Sequence, residues 1–315
     1  MVVPFRGTGA ELRDLRERLS ELLLGPGDTL TIVDNTPRQE PLALEGPGPT
    51  IVHAADVAAP GYARNRGAEC GNADWLLFLD ADVIPPSDLL DRYFDPKPAE
   101  DTGLIAGGVI DESVPPDGPP AARYAYIRRF MSQDDTLRFG DWGFPKTANA
   151  ACRRVAFEAI GGFRENIRAA EDADLTYRLK AAGWKLERRE YAAAVHRSRQ
   201  TVGSFATQKL CHGAGGAWLN REYPGSAPAR RRAGLTWWAV RHATKNLFAA
   251  ARRRDRDLAV SAVLDPLELL AHEFGRSLPN ERPLTVRTLL RHLRHLREPP
   301  GVERLRDAGP PRSAG

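Results

Sequence analysis

The chain has 315 residues, 42% hydrophobic and 27% charged, with a formal net charge of +4, which is enough apolar material for one large core or a core with an appendage. No run of about eighteen apolar residues occurs, so no spanning helix is read, and the opening Met1-Val2-Val3-Pro4-Phe5 lacks the basic leader of a signal peptide. Cys70, Cys152 and Cys211 are odd in number and far apart, which speaks against a disulfide framework or zinc cage and suits a reducing, cytoplasmic setting.

In chain order, Val2–Phe5 reads as a short apolar strand. Residues 11–24 then repeat Leu12, Leu15, Leu19, Leu22 and Leu23 at helical spacing until Gly25-Pro26-Gly27 stops them. Leu30–Val33 is a second strand ending at Asp34-Asn35, residues 50–53 a third, residues 61–70 a helix, and Trp75–Leu79 a fourth strand of unbroken apolar residues, the mark of burial on both faces. Alternating strands and helices predict an α/β fold with a mostly parallel, Rossmann-like sheet and flanking helices. After the apolar residues 105–110, the proline-rich stretch 115–120 and the aromatics up to Trp142 read as a loop or lid. Residues 169–183 are a helix, 184–189 a strand, and 192–195 a further strand-like run. Beyond Gly203 the chain is helical and basic: residues 230–297 carry fifteen Lys/Arg against six Asp/Glu, whereas residues 1–229 carry twenty-seven against thirty-two. The expected division is a catalytic domain over 1–229, a basic helical extension over 230–297 with a helix near 284–296, and a disordered tail over 298–315.

Three signals carry chemistry. The buried strand Trp75–Leu79 ejects Asp80 and Asp82 at its carboxyl end, where open α/β sheets place ligands. Two carboxylates spaced in this way can share a hard cation with phosphate and water; equally, Asp favours turns and caps. In Glu171-Asp172-Ala173-Asp174, helix capping by Asp172 and an i,i+4 pair between Asp174 and Arg178 explain much, but leave adjacent like charges of the kind that raise a pKa and ready a general base. His196 follows the strand-like Ala192–Val195, and a lone histidine there is a capping residue unless it stands beside Asp82.

In this order and at these separations, VVPF, IVDN, GYARNRGAE, WLLFLDADV, TANAACRRVAFEAIGGF and EDADLTYRLKAAGW with a following His resemble the sequence blocks of the family 2 glycosyltransferases of GT-A fold, from Val2 to about Trp218. The resemblance implies an inverting, nucleotide-sugar-dependent hexosyl transfer with Mn²⁺ or Mg²⁺ as cofactor. Pro4, Phe5 and Asp34 would border the base and ribose, Arg64 and Asn65 would stand over the nucleotide, and Asp80 would hold ribose or sugar. Asp82, with His196 and Asp80, would bind the metal at the diphosphate. Asp172 would be the catalytic base with Glu171 supporting it, Thr147, Asn149 and Trp142 would lie on the acceptor side, and Gly161-Gly162 would form a tight turn. The QxxRW block of processive synthases is absent, which implies transfer of one or a few sugars to a hydroxyl acceptor (glycan, lipid-linked, small-molecule or peptide), with UDP the default nucleotide. The rival readings are sugar-1-phosphate nucleotidyl transfer, a non-catalytic nucleotide binder, or a basic membrane- or nucleic-acid-binding protein. The three acids argue against the last, and nucleic acid is not an expected partner.

In residues 235–251, Leu235, Trp238, Leu247 and Ala251 alternate with Arg241, His242 and Lys245 before Arg252-Arg253-Arg254. Two readings stand: an apolar face packed on the catalytic part with its charges solvated, or a helix lying on an anionic membrane or lipid phosphate at the inner membrane face.

Overall fold

The computed structural model describes residues 1–37, 48–227 and 234–281; the expected helix at 284–296 and the tail from 298 lie outside them. The strands are β1 (Val2–Phe5), β2 (Thr31–Asp34), β3 (Thr50–His53), β4 (Trp75–Leu79), β5 (Val83–Ile84), β6 (Thr102–Asp111), β7 (Asn149–Arg153) and β8 (Lys185–His196). They form one sheet in the order β3-β2-β1-β4-β7-β6-β8-β5. The sheet is mixed: β1, β2, β3 and β4 are parallel to their neighbours, as are β6 and β8, but β7 runs antiparallel to β4 and β6, and β5 antiparallel to β8. Four of the seven strand pairings are parallel, so the sheet is mostly parallel as expected, with β7 and β5 as its antiparallel members.

Strand period two divides the core. Val3, Phe5, Ile32, Leu77 and Leu79 enter one apolar cluster, with Leu12, Leu15 and Leu19 of the first helix α1 (Gly9–Leu19). Val2, Val33, Leu76 and Phe78 enter the other, with Tyr62 and Ala63 of α2 (Pro60–Ala68) and Leu175 and Leu179 of the helix at Glu171–Ala181. Helix α1 begins in a capping box, Thr8 with Glu11, and ends at Ser20, short of the expected residue 24.

Residues 184–189 and 192–195 are one strand interrupted by a bulge: the β6–β8 register shifts between Gly107 and Val109. Asn149 closes this defect. Its Nδ2 donates to the Gly108 and Ala192 carbonyls, both at 2.8 Å, and its Oδ1 accepts from the Tyr93 hydroxyl at 2.9 Å.

The segment expected to be a loop or lid contains α4 (Pro120–Arg128) and α5 (Asp134–Leu137), after the short α3 (Leu89–Phe94). Tyr124 is fully buried against Phe130 and Phe205, so α4 is core. Its partner is distant in sequence, which is why its own aromatics showed no period. After α6 (Arg154–Ala159) and α7 (Glu171–Ala181) come α8 (Val202–Glu222), α9 (Leu235–Arg253) and α10 (Arg256–Gly275). Helix α10 packs on α8, α9 and α4: Tyr124 Oη donates to Asp265 and Glu268, and Arg123 pairs with Asp257. Helices α8 and α10 cross with their backbones nearly touching, since a Cβ on Gly213 would lie 2.0 Å from the His272 carbonyl oxygen and one on Gly275 would lie 2.1 Å from that of Leu210. Gly213→Ala is therefore expected to cost about 2 kcal/mol, read as a lowered melting temperature; an unchanged one would show that the helices have room to part.

Candidate active site

The expected donor and metal residues gather at one edge of the sheet, at the carboxyl ends of β1, β2, β4, β6 and β8. Asp34 is buried, with His53 Nδ1 3.6 Å from Oδ2 and the Thr36 amide donating to Oδ1 at 3.1 Å. Phe5 is buried in the core and Pro4 partly exposed beside it. The Asn65 carboxamide is engaged at the turn after Gly161-Gly162, exchanging hydrogen bonds of 2.9 Å with Phe163 and donating to Glu165; it braces that turn. Both glycines have positive φ, 74° and 67°, which other residues avoid.

The chain leaves β4 through Asp80-Ala81-Asp82 and crosses to the far edge, where Val83 of β5 pairs with His196. This brings Asp82 Oδ2 to 3.6 Å from His196 Nε2. The other ring nitrogen, Nδ1, lies 3.3 Å from Asp111 Oδ1, and Asp111 is held by the Ser198 hydroxyl at 3.2 Å and the Met131 amide at 3.0 Å. Burial opposes a charge on His196, but the two carboxylates outweigh it and raise the imidazole to about 9. Burial likewise opposes the Asp82 charge, and His196 outweighs it, holding that carboxyl below its usual range. A carboxylate behind a histidine that faces a second carboxylate is the arrangement that orients metal-bound imidazoles. Among the described residues no group of three or more His, Cys, Asp or Glu is placed to hold a metal ion. Asp82 and His196 are thus a two-donor set, which fits a cation that takes its remaining ligands from phosphate and water. Asp80 departs from that set: its Oδ1 accepts from Arg64 Nη2 at 2.7 Å.

The base candidate opens α7. Ala170, its cap, lies in the left-handed region at φ 71°, a strained setting of the kind found at functional sites. The helix starts one residue before Asp172, so Asp172 is not the cap; its Oδ1 accepts from the Ala173 amide at 2.8 Å. Burial, then the adjacent Glu171, push the Asp172 carboxyl up to about 7, against the pull of Arg64 and Lys146. Glu171 Oε1 accepts from Arg64 Nη1 at 3.0 Å, so one guanidinium spans Asp80 and Glu171. Asp174 is fully buried with Arg178, Arg164 and the Tyr223 hydroxyl, a structural role.

On the acceptor side, Thr147 and Asn149 are both buried, and the polar atoms of Asn149 are committed to the β8 bulge. The Asn149 side chain is thus engaged within the fold and is a positioning group there, not an acceptor contact. Trp142 stacks edge-on to Tyr177 at 5.0 Å, near enough to Asp172 that this carboxylate helps raise the Tyr177 phenol. Two residues escaped sequence reasoning. Asp111 ends an apolar strand just as Asp34 and Asp80 do, a signal that was available. Lys146 carries no motif; burial lowers its pKa, and the charges of Asp172 and Asp111 both oppose that shift, so its ammonium stands between the two halves of the site.

The carboxyl edge of the sheet thus gathers an aspartate-histidine pair and a buried carboxyl raised to about 7, on a fold that has solved counterparts. It matches a mannosyltransferase from Pyrobaculum calidifontis, solved with GDP-Man and Mn²⁺, at TM-score 0.55 over 86% of this chain and 84% of that one, with 14% identity, a likeness of GT-A fold. The model of glycosyl transferase family 2 matches residues 3–161, and the chain belongs to that family. It is 28% identical over 182 residues, 55% of its length, to a pre-mycofactocin glycosyltransferase of Mycobacterium tuberculosis. It is also 28% identical over 159 residues to succinoglycan biosynthesis protein ExoA of Rhizobium meliloti. The matches span 37% and 48% of those relatives. Of the described residues, no helix is long and apolar enough to cross a membrane.

Replacing Arg64 by Met leaves two carboxylates without their shared cation. The expected result is a loss of about 3 kcal/mol in unfolding free energy, and an acidic limb of the activity profile moved to higher pH because Asp172 loses a positive neighbour. An unchanged profile would show that Arg64 acts on stability alone.

Proposed function

We propose that this glycosyltransferase moves a hexose from a nucleoside diphosphate, UDP by family resemblance, to an acceptor hydroxyl, with inversion at the anomeric carbon, a divalent cation at the diphosphate, and one or a few transfers per encounter. The observation that carries the reading is the opposite protonation behaviour of two carboxylates at one sheet edge. Asp82, charged beside His196, suits cation and diphosphate; Asp172, raised to about 7, suits a proton acceptor working near neutral pH. Bound between Asp82, His196 and the diphosphate, Mn²⁺ or Mg²⁺ would neutralise charge developing on the leaving phosphate. Asp111 fixes the His196 ring through Nδ1, and Nε2, on meeting a cation, would give up to solvent the proton that it otherwise shares with Asp82. Asp172 accepts the acceptor's proton as the hydroxyl oxygen bonds to the anomeric carbon and the bond to the diphosphate oxygen breaks. A single base on the attacking side, without a second carboxylate free to act as nucleophile, supports inversion. Glu171 and Asp80, held by Arg64, position the base helix and the strand end. Trp142 with Tyr177 forms an aromatic wall suited to a sugar or other apolar-faced acceptor.

The donor is tested by thermal unfolding with UDP, GDP, TDP and CMP, each with and without Mn²⁺, on the wild type and on Asp82→Ala. One nucleotide is expected to raise the melting temperature by about 5 °C at saturation, only with metal and only in the wild type. No response to any nucleotide would sink the donor-site reading; a response equal in Asp82→Ala would remove Asp82 from the metal site.

Asp172→Asn should lower transfer by about 10²–10⁴-fold while the protein stays folded. Because the folded-state pKa of Asp172 lies above its unfolded value of 3.8, its contribution favours the fold at low pH and is lost as pH rises through about 7. The variant should therefore melt at or above the wild-type temperature at pH 8, and a variant that retained full activity would rule Asp172 out as the base.

A further inference from the structure

Helix α9 buries Ala239 and Ala250 and lies against α10, with His242 Nε2 3.0 Å from Asp265. Those buried positions define its inner face, and that face is small and polar. The large apolar residues point the other way: Trp237 is 66% exposed, Val240 60%, Leu247 41% and Phe248 73%. At spacings of three, seven and one they fall within a sector of roughly 100° of the helix, Trp237 and Phe248 opposite Ala239 and Ala250 and Val240 and Leu247 on its flank. Of the apolar residues singled out in the sequence, Leu235 is half-buried and Trp238 stacks on His242, which pairs with Asp265 of α10, whereas Leu247 is exposed.

The stripe has a basic border. Arg241 and Lys245 follow Trp237 at i+4 and i+8 and are exposed, with the Arg241 guanidinium 5.3 Å from the Trp237 ring centroid. Exposed Arg252, Arg253 and Arg254 continue the positive charge at the carboxyl end of α9.

From this geometry we infer that α9 is a membrane-docking helix, laying Trp237, Val240, Leu247 and Phe248 into the interface of an anionic bilayer while its arginines and Lys245 meet lipid phosphates. A convex apolar stripe with tryptophan on it and cationic residues beside it matches the depth profile of such an interface, apolar inward and cationic at headgroup level. A second copy of this chain fits less well, because a two-fold contact through this face would set the basic borders against each other. Nucleic acid would use the arginines but not the apolar centre. The acceptor would then be met at a lipid surface, although docking itself needs neither donor nor acceptor and stands apart from the transfer reaction.

The test is flotation of the full chain with vesicles of phosphatidylcholine alone and with about one-third phosphatidylglycerol. Measurements at low and high salt would compare the wild type, Trp237→Asp/Phe248→Asp, and Arg241→Glu/Lys245→Glu. Binding is expected only to the anionic vesicles, weakened by salt, and reduced at least tenfold in each double variant, with melting temperature and nucleotide response unchanged because the altered side chains are exposed and outside the active site. Absence of binding to anionic vesicles, or equal binding by the apolar variant, would overturn the inference. Sedimentation that showed a wild-type dimer dispersed by the same substitutions would replace it with self-association.

Discussion

One buried guanidinium carries both halves of the site. Arg64 rises from α2 and is almost wholly enclosed, over the Phe163 ring; its two terminal nitrogens reach Asp80 at the end of β4 and Glu171 at the start of α7. Burying a charge in this way is unfavourable unless it is paired and hydrogen-bonded, so the helix, the strand end and the base helix must come together for any of them to be stable there. The end of β4 and the start of α7 are thereby tied together, and the planar fork of arginine fixes their spacing in a way that a lysine could not.

Around that unit the protein sets its acids to different tasks through their surroundings. Asp82 faces one ring nitrogen of His196, which holds its carboxyl below the usual range despite burial, and Asp111 faces the other ring nitrogen. Asp172 has burial and Glu171 working against its charge, and the Ala173 amide, Arg64 and Lys146 working for it. The same sheet edge thus holds one carboxyl below its usual range and another raised to about 7, without any change in residue type.

Much of this was legible in the sequence where the signal was local. Continuous apolar runs marked β1 to β4, and the acids at their ends followed from strand direction. Asp82, Asp172 and His196 came from motif blocks, although only the pairing of Val83 with His196 shows why residues more than a hundred positions apart meet. What failed was non-local. Asn149 lay in a family block and was assigned to the acceptor, but it satisfies carbonyls left open by a bulge in a strand some forty residues onward, which no pattern around Asn149 announces. Helix α4 was hidden because its burial depends on Phe205 and α10. The apolar residues singled out on α9 share only Leu247 with the exposed set Trp237, Val240, Leu247 and Phe248, because a mixed apolar and basic sequence does not say which side of a helix its neighbour covers.

The far end of the described chain returns to the catalytic helix. Asn280, itself fully buried, donates to the Ala169 carbonyl at 2.9 Å and accepts from the Arg168 amide at 2.9 Å, and Ile167 bridges Glu281. These contacts grip the residues just before left-handed Ala170, from which α7 and its base depart. During synthesis the strands that hold the donor acids can pair early, whereas the angle of the base helix is secured only by residues more than a hundred positions later, a long-range closure that comes late in folding. A ribosome-bound chain would therefore lack a fixed α7, and with it a fixed Arg64 bridge between α7 and the end of β4, until the residues around Asn280 have been made.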